Sequence, residues 1–238
     1  LVQVTILRLI GYREWTETLG PDREHIIQGV QASLYNRLVS LFSGRNAWAH
    51  PFRYDYMFVI SNGLRNEEIR ELMRELREVS PVPISGGTHS HEEPRVAEQG
   101  AFKLSHLAGP WNVVGDEAGG DDLVCIAHID LVNSTLGTIR NSSYWLYERV
   151  WSALGLVNNH VTSLGGLTFY LGGDNIVSVI KPIKNTDALM PLAKALNARI
   201  GVGIGRTGRE AMKLATEALD ELRVGGNGPL VRILENTQ

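Results

Sequence analysis

The chain has 238 residues, 43% of them hydrophobic, and 23 Lys and Arg against 26 Asp and Glu give a formal net charge of −3. That length and apolar content suit two domains of ordinary size, and the slight acidity without a dense Lys/Arg run argues against a protein that grips nucleic acid by its phosphates. A single cysteine, Cys125, excludes an intrachain disulfide and reads as a cytoplasmic setting; with no apolar run near the ~20 residues of a membrane span, neither membrane nor nucleic acid is an expected partner.

In chain order, "VQVTILRLI" (2–10) predicts a strand and "EHIIQGVQASLYNRLVSLF" (24–42) a helix with Ile27, Val30, Leu34, Leu38 and Leu41 on one stripe. "YDYMFVIS" (54–61) predicts a strand, followed by a helix that Asn66 is expected to cap, with Ile69, Leu72, Met73, Leu76 and Val79 on its apolar face. A short strand at 82–85 and a helix at 94–107 precede the Gly- and acid-rich stretch "AGPWNVVGDEAGGDD" (108–122), which reads as a linker. The pattern then restarts, with a strand at 123–130, a helix at 142–157 and two strands around a tight turn at 166–180. A helix at 186–196, a strand at 199–205 and a helix at 207–223 complete it, Thr207 and Glu210 having capping-box spacing.

Asp55 and Asp174 stand 119 residues apart, as do Thr88 and Thr207, and Ile10 and Asp130 stand 120 apart. These offsets predict two structural repeats, 1–110 and 123–238, joined by a linker at 111–122.

Strand alternation in repeat two places Val124, Ile126, His128 and Asp130 on one face. If that strand lies beside the hairpin "FYLGGDN" (169–175), Asp130 and Asp174 converge at one sheet edge and invite a divalent cation, for which hard oxygen ligands suit Mg²⁺. The turn also needs Gly and Asp for backbone reasons alone. After Asp130, Asn133, Ser134 and Thr135 enter a helix whose first amides are available to phosphate oxygens, ordinary capping being the other reading.

"IAHIDLVNSTLGT", "FYLGGDN" and "GVGIGRTGREAMKLATEALDELR" resemble archaeal-type GTP cyclohydrolase III, and the weaker "GYREWTETLGPDRE" and "QASLYNRL" extend the similarity over nearly the whole chain. The resemblance implies an α+β fold of tandem ferredoxin-like palm repeats, antiparallel sheets covered by helices, related to class III nucleotidyl cyclases and diguanylate cyclases. It implies Mg²⁺-dependent hydrolysis of GTP that opens the imidazole ring, keeps the formyl group and removes two phosphates, toward riboflavin and deazaflavin. Two Mg²⁺ ions, activation by K⁺ and assembly into a homo-oligomer, dimer or tetramer, are implied with it.

Carried onto this sequence, the resemblance makes Asp130 and Asp174 the metal-binding acids, with the Leu131 carbonyl as a further ligand. It makes Asn133, Ser134 and Thr135 the phosphate loop, and Gly172, Gly173 and Asn175 the nucleotide-facing hairpin. Arg206 becomes a phosphate partner. His128 is expected to contact the base or relay a proton, a structural histidine being the alternative. Tyr12 and Trp15 are candidates for stacking on guanine, core packing being the alternative, and His89 and His91 lack a third ligand for zinc. The acid expected in the first strand of repeat one is matched by Ile10, which leaves Asp55 alone and makes that repeat's metal site degenerate. A nucleotidyl cyclase and a noncatalytic nucleotide-sensing module remain alternatives; Asn175 stands where the diguanylate cyclase signature has an acid.

Overall fold

Two five-stranded sheets organise the chain, and their strands follow one order. In the computed structural model, which describes residues 1–119, 122–225 and 230–236, the first sheet holds β1 (Val2–Leu9), β2 (Trp48–His50), β3 (Tyr56–Ile60), β4 (Ile84–His91) and β5 (Val113–Gly115). The second holds β6 (Val124–Leu131), β7 (Leu167–Gly172), β8 (Asn175–Ile180), β9 (Ala198–Gly205) and β10 (Val231–Glu235). Counted within its own unit, each sheet reads second, third, first, fourth, fifth. The first four strands pair antiparallel and the fifth runs parallel to the fourth. Helices α1 (Tyr12–Thr18), α2 (Glu24–Ser43), α3 (Asn66–Glu75) and α4 (Pro94–Leu107) accompany the first sheet; α5 (Ser134–Arg140), α6 (Ser143–Ser163), α7 (Met190–Leu196) and α8 (Gly208–Val224) accompany the second. This is the ferredoxin-like β-α-β-β-α-β order with one added strand, so the tandem α+β palm architecture expected from the sequence is the fold. Contacts divide the chain into Leu1–Glu92 with Val96–Asp122, and Glu93–Arg95 with Leu123–Gln238.

Each central strand splits its faces as alternation requires. In the first unit Leu7 and Leu9 pack with Leu34, Leu38 and Phe42 of α2 and Ile69 and Met73 of α3. In the second, Cys125, Ala127, Ile129 and Leu131 pack with Val150, Val157 and Val161 of α6 and Leu192 and Ala193 of α7. Burial pushes the Cys125 thiol up to about 12, which removes it as a nucleophile. The opposite face of β9 lies directly under α8. A Cβ at Gly201 would sit 2.1 Å from the Ala215 carbonyl oxygen, and a Cβ at Gly87 of β4 would sit 2.2 Å from that of Ala101 in α4.

The register corrects the offsets on which the repeat was inferred. Asp130 pairs with Asn175 and with Arg199, whereas Arg8 pairs with Tyr56 and with Ser85. Arg8, not Ile10, therefore occupies the Asp130 position, and Asp55 and Asp174 correspond because each directly precedes that rung. Thr88 and Thr207 do not correspond: Thr88 faces Thr5 within a sheet, and Thr207 caps α8, its hydroxyl accepting from Glu210 N at 3.2 Å. Insertions of different length between elements shift the offset, so landmark subtraction finds the repeat without aligning it.

Three local readings also change. Part of the stretch read as a linker forms β5, which pairs with β4, while Gly120 and Asp121 of that stretch lie outside the described residues. The pattern gave no strand at Val231–Glu235, where β10 pairs with β9. Asn66 is the first helical residue rather than the cap of α3; Glu68 accepts from the Arg65 backbone at 3.1 Å, and Asn66 Nδ2 donates to the Gly115 carbonyl at 3.0 Å.

Candidate functional site

The β6 strand ends where the β7–β8 hairpin turns, and this junction forms a cavity of about 420 Å³ lined by Asp130, Leu131, Asn133, Ser134, Thr135, Leu136, Asp174, Arg199 and Arg223. Asp130 reaches it from the last β6–β8 rung, and Leu131 lies one residue past that rung. Asn133 then adopts a left-handed backbone, φ 61°, which turns the chain sharply into α5 and brings Ser134 to the same edge. In the hairpin, Gly172 and Gly173 have φ of 109° and 60°, values that favour glycine, so both are explained by the turn itself. Asp174 follows them and points its carboxylate to the cavity.

The carboxylates are held from several sides. Ser134 Oγ donates to Asp174 Oδ2, and Asn175 Nδ2 donates to Asp174 Oδ1 at 3.3 Å. Asn175 Oδ1 lies 2.9 Å from His128 Nε2, so the amide bridges histidine and carboxylate, with the imidazole N–H donating. Asp130 is only 8% exposed, and Arg223 Nη2 donates to its Oδ1 at 3.1 Å. Arg223 Nη1 donates to Asp220 Oδ1 at 2.8 Å. Burial lowers the His128 pKa below the ordinary histidine value, the Asn175 bond opposing that effect, and keeps the ring neutral near pH 7.

Of the residues expected from the sequence, Asp130, Leu131, Asn133, Ser134, Thr135 and Asp174 meet around the cavity. Gly172, Gly173 and Asn175 shape the hairpin behind Asp174. His128 is buried one layer back, against Asn175, and does not line the cavity. Arg206 is not brought to the site. It follows the far end of β9, roughly 20 Å along the strand from Arg199 at ~3.3 Å per residue, and its backbone N–H donates to Glu210 at 2.7 Å. Tyr12 and Trp15 belong to α1, their ring centroids 5.4 Å apart, and Tyr12 packs on the core of the first unit. His89 Nδ1 lies 2.7 Å from Asp116 Oδ1.

The site's cations were not legible as such. Arg199 faces the cavity because it shares a rung with Asp130, and among the described residues its guanidinium has neither a hydrogen bond nor an ion pair. Arg223 arrives from the last turn of α8, 93 residues from Asp130. A basic residue at the start of a strand and one near a helix end were the only available signals. Around the cavity, two carboxylates and the Leu131 backbone offer hard oxygen donors, a set that fits Mg²⁺ better than a softer metal. Among the described residues no group of three His, Cys, Asp or Glu could hold a metal, so a cation here would draw remaining ligands from water and substrate.

The first unit carries the same backbone with different chemistry. Gly11, φ 74°, makes the left-handed step after β1 that Asn133 makes after β6. Beyond it Tyr12 stands where Ser134 stands, and Arg8 replaces Asp130 with the opposite charge. Asp55 pairs with Arg53 at 3.0 Å.

A sequence model of GTP cyclohydrolase III matches residues 4–235. GTP cyclohydrolase III of Pyrobaculum aerophilum is 34% identical over 226 residues, covering 94% of this chain and 96% of that protein. The protein of the same name from Aeropyrum pernix is 32% identical over 234 residues, covering 97% and 96%. Among solved structures, the GGDEF domain of DgcB from Caulobacter crescentus in complex with c-di-GMP aligns with a TM-score of 0.42 and 11% identity, covering 47% of this chain and 77% of that one. No helix among the described residues is long and apolar enough to cross a membrane.

Proposed function

The chain belongs to the GTP cyclohydrolase III family, and from that premise we propose that the cavity at the end of β6 takes GTP with Mg²⁺ and opens its imidazole ring. The observation that carries this reading is the placement of Asp130, Asp174 and Arg199, a cation without an ion partner among the described residues, around one cavity. In the reaction, water adds to the imidazole carbon, the bond from that carbon to the ribosyl-bearing nitrogen breaks, and that nitrogen takes the proton. The formyl group stays on the other nitrogen, and hydrolysis of the triphosphate to the monophosphate releases two phosphates.

When bound, Mg²⁺ supplies neutralisation of the triphosphate and acidification of water. Asp130, Asp174 and the Leu131 carbonyl would hold it. Ser134 and Asn175 fix the Asp174 carboxylate by hydrogen bonds to its two oxygens, so its direction is set before substrate arrives. His128, neutral and bonded to Asn175, is a positioning residue: it orients the amide that orients Asp174. Arg199, opposite Asp130 and without a partner among the described residues, pairs with phosphate oxygens. Asn133 and Thr135 line the same wall and present polar side chains to the nucleotide.

The test is incubation of the chain with GTP and Mg²⁺, followed by mass analysis. The expected product has gained one water at the base and lost two phosphates, and ATP is left untouched because a site built for the guanine edge leaves polar groups unpaired with adenine. A cyclic nucleotide, or intact GTP, overturns the proposal. Stimulation by K⁺ belongs to the same reading and is measured by exchanging NaCl for KCl; assembly into dimers or tetramers is measured by light scattering.

A further inference from the structure

We propose that Arg223 is an exchangeable counter-ion: its guanidinium holds Asp130 until a divalent cation takes that carboxylate, and it then turns into the cavity to pair with nucleotide phosphate. This rests on the reading of the cavity as a cation and nucleotide site. The pair is asymmetric in a way that permits exchange. The Asp130 side chain is 11% exposed and the Arg223 side chain 43%, so the acid is fixed in the sheet while the guanidinium sits at the open end of a flexible stem. A carboxylate buried that deeply without a counter-charge is costly. In the cation-free protein Arg223 meets that need.

A divalent cation on Asp130 meets the same need with twice the charge, and it repels a guanidinium a few ångströms away. Arg223 is not stranded when displaced. Its other nitrogen is already bonded to Asp220 at 2.8 Å, an acid whose side chain is 62% exposed, and Arg223 itself lines the cavity where phosphate would lie. Arg199 serves as the contrast. With no ion partner among the described residues, it has no carboxylate to release, so its contribution is to nucleotide alone.

Exchange makes two measurements move in opposite directions, which simple bracing of Asp130 does not. The probe is Mn²⁺ alone, counted on the full chain by the electron paramagnetic resonance of the free ion, and then a non-hydrolysable GTP analogue bound at saturating Mn²⁺. In Arg223→Gln, Mn²⁺ binding without nucleotide is expected to tighten about 3- to 10-fold, the size of a partly exposed ion pair removed as competitor. Analogue binding is expected to weaken about 10-fold or more, the loss of a charge-assisted bond to phosphate. Asp220→Asn gives the converse test on an exposed residue: by removing the outer partner it commits Arg223 to Asp130, and Mn²⁺ binding weakens. Unchanged or weaker Mn²⁺ binding in Arg223→Gln with an unchanged melting temperature overturns the inference. If that variant melts early, unchanged or tighter Mn²⁺ binding in Asp220→Asn overturns it instead. Asp130→Asn and Asp174→Asn separate the two levels. If Mn²⁺ uptake disappears in both but does not respond to Arg223, only the counter-ion role fails; if the wild-type chain binds no Mn²⁺, or uptake survives both substitutions, the reading of the cavity fails and this inference with it.

Discussion

The two repeats share strand order, a left-handed residue after the first strand and an acid before the third, yet only one gathers a pair of carboxylates. The difference is concentrated on a single rung: Tyr56, Arg8 and Ser85 in one sheet, Asn175, Asp130 and Arg199 in the other. A cation at the Asp130 position leaves Asp55 without a second acid, and Asp55 pairs with Arg53 instead. The interiors differ in a complementary way. Repeat one buries Gln3, Thr5, Ser61 and Thr88 in a network, with Thr5 Oγ1 2.8 Å from Ser61 Oγ and 3.0 Å from Thr88 Oγ1. The same rungs of repeat two carry Ala127 against Val202 and Cys125 against Ile180. One palm scaffold therefore holds a hydrogen-bonded polar cluster within the core of one repeat and apolar residues at the same rungs of the other, because the backbone ladder is indifferent to both.

The largest expected effect tests that asymmetry. Asp130→Asn and Asp174→Asn, which keep size and remove a charged ligand, should lower Mg²⁺-dependent GTP turnover by at least ~100-fold, beyond the 10- to 100-fold typical of outer-sphere partners. Asp55→Asn should leave turnover within about threefold. Steady-state rates with melting curves for all three decide it, and a folded Asp55→Asn chain without activity would reverse the assignment of the repeats.

A second comparison asks whether the scaffold is as tight in both halves. Gly201→Ala and Gly87→Ala each drive a methyl into the carbonyl of a covering helix, and each should cost about 1–3 kcal/mol or more by overpacking. Denaturant melts in which only one of them destabilises would show that the helix over the other sheet can move away. Next in size, Thr5→Val should cost about 1–2 kcal/mol, because it leaves Ser61 and Thr88 short of a buried partner. Adding Thr88→Val, which makes the rung resemble Ala127 and Val202, should recover part of that loss in the same melts.

The smallest effect is one of pH. Burial lowers the His128 pKa on folding, so the unfolded chain takes up its proton more readily. The resulting stability is complete above the ordinary value of about 6.5 and is lost as pH falls through that value toward the folded one. His128→Gln should flatten this acid limb in melting curves recorded across the range, while the corresponding Ile6 of repeat one has nothing to titrate. An unchanged limb in His128→Gln would assign it to other groups.

How much of this was legible follows from the range of each interaction. Alternating apolar residues, the Gly-Gly-Asp turn and the restart of the pattern are local, and they specified the longer strands, the hairpin, the repeat and the two acids from the sequence alone, because side-chain period and turn conformation depend on near neighbours. β2 and the fifth strands escaped: Trp48–His50 and Val113–Gly115 are too short to carry a period and draw their stability from pairing with β3 and β4. Register was equally hidden. Only the paired sheet shows that Arg8 rather than Ile10 matches Asp130 and that Arg199 stands across from it, since a shift of two residues leaves the alternation of the strand intact. Arg206, adjacent to a glycine strand and a helix start, looked like the phosphate partner, yet β9 runs antiparallel to β6 and carries it to the far end. Arg223 comes to Asp130 only because α8 lies flat on Gly201 and Gly203, aiming its last turn at the end of β6 where Asp130 stands. The sequence by itself determined which two acids meet at the cavity; the packing of helix on sheet decided which bases would face them, because that choice depends on distances between segments that no local pattern encodes.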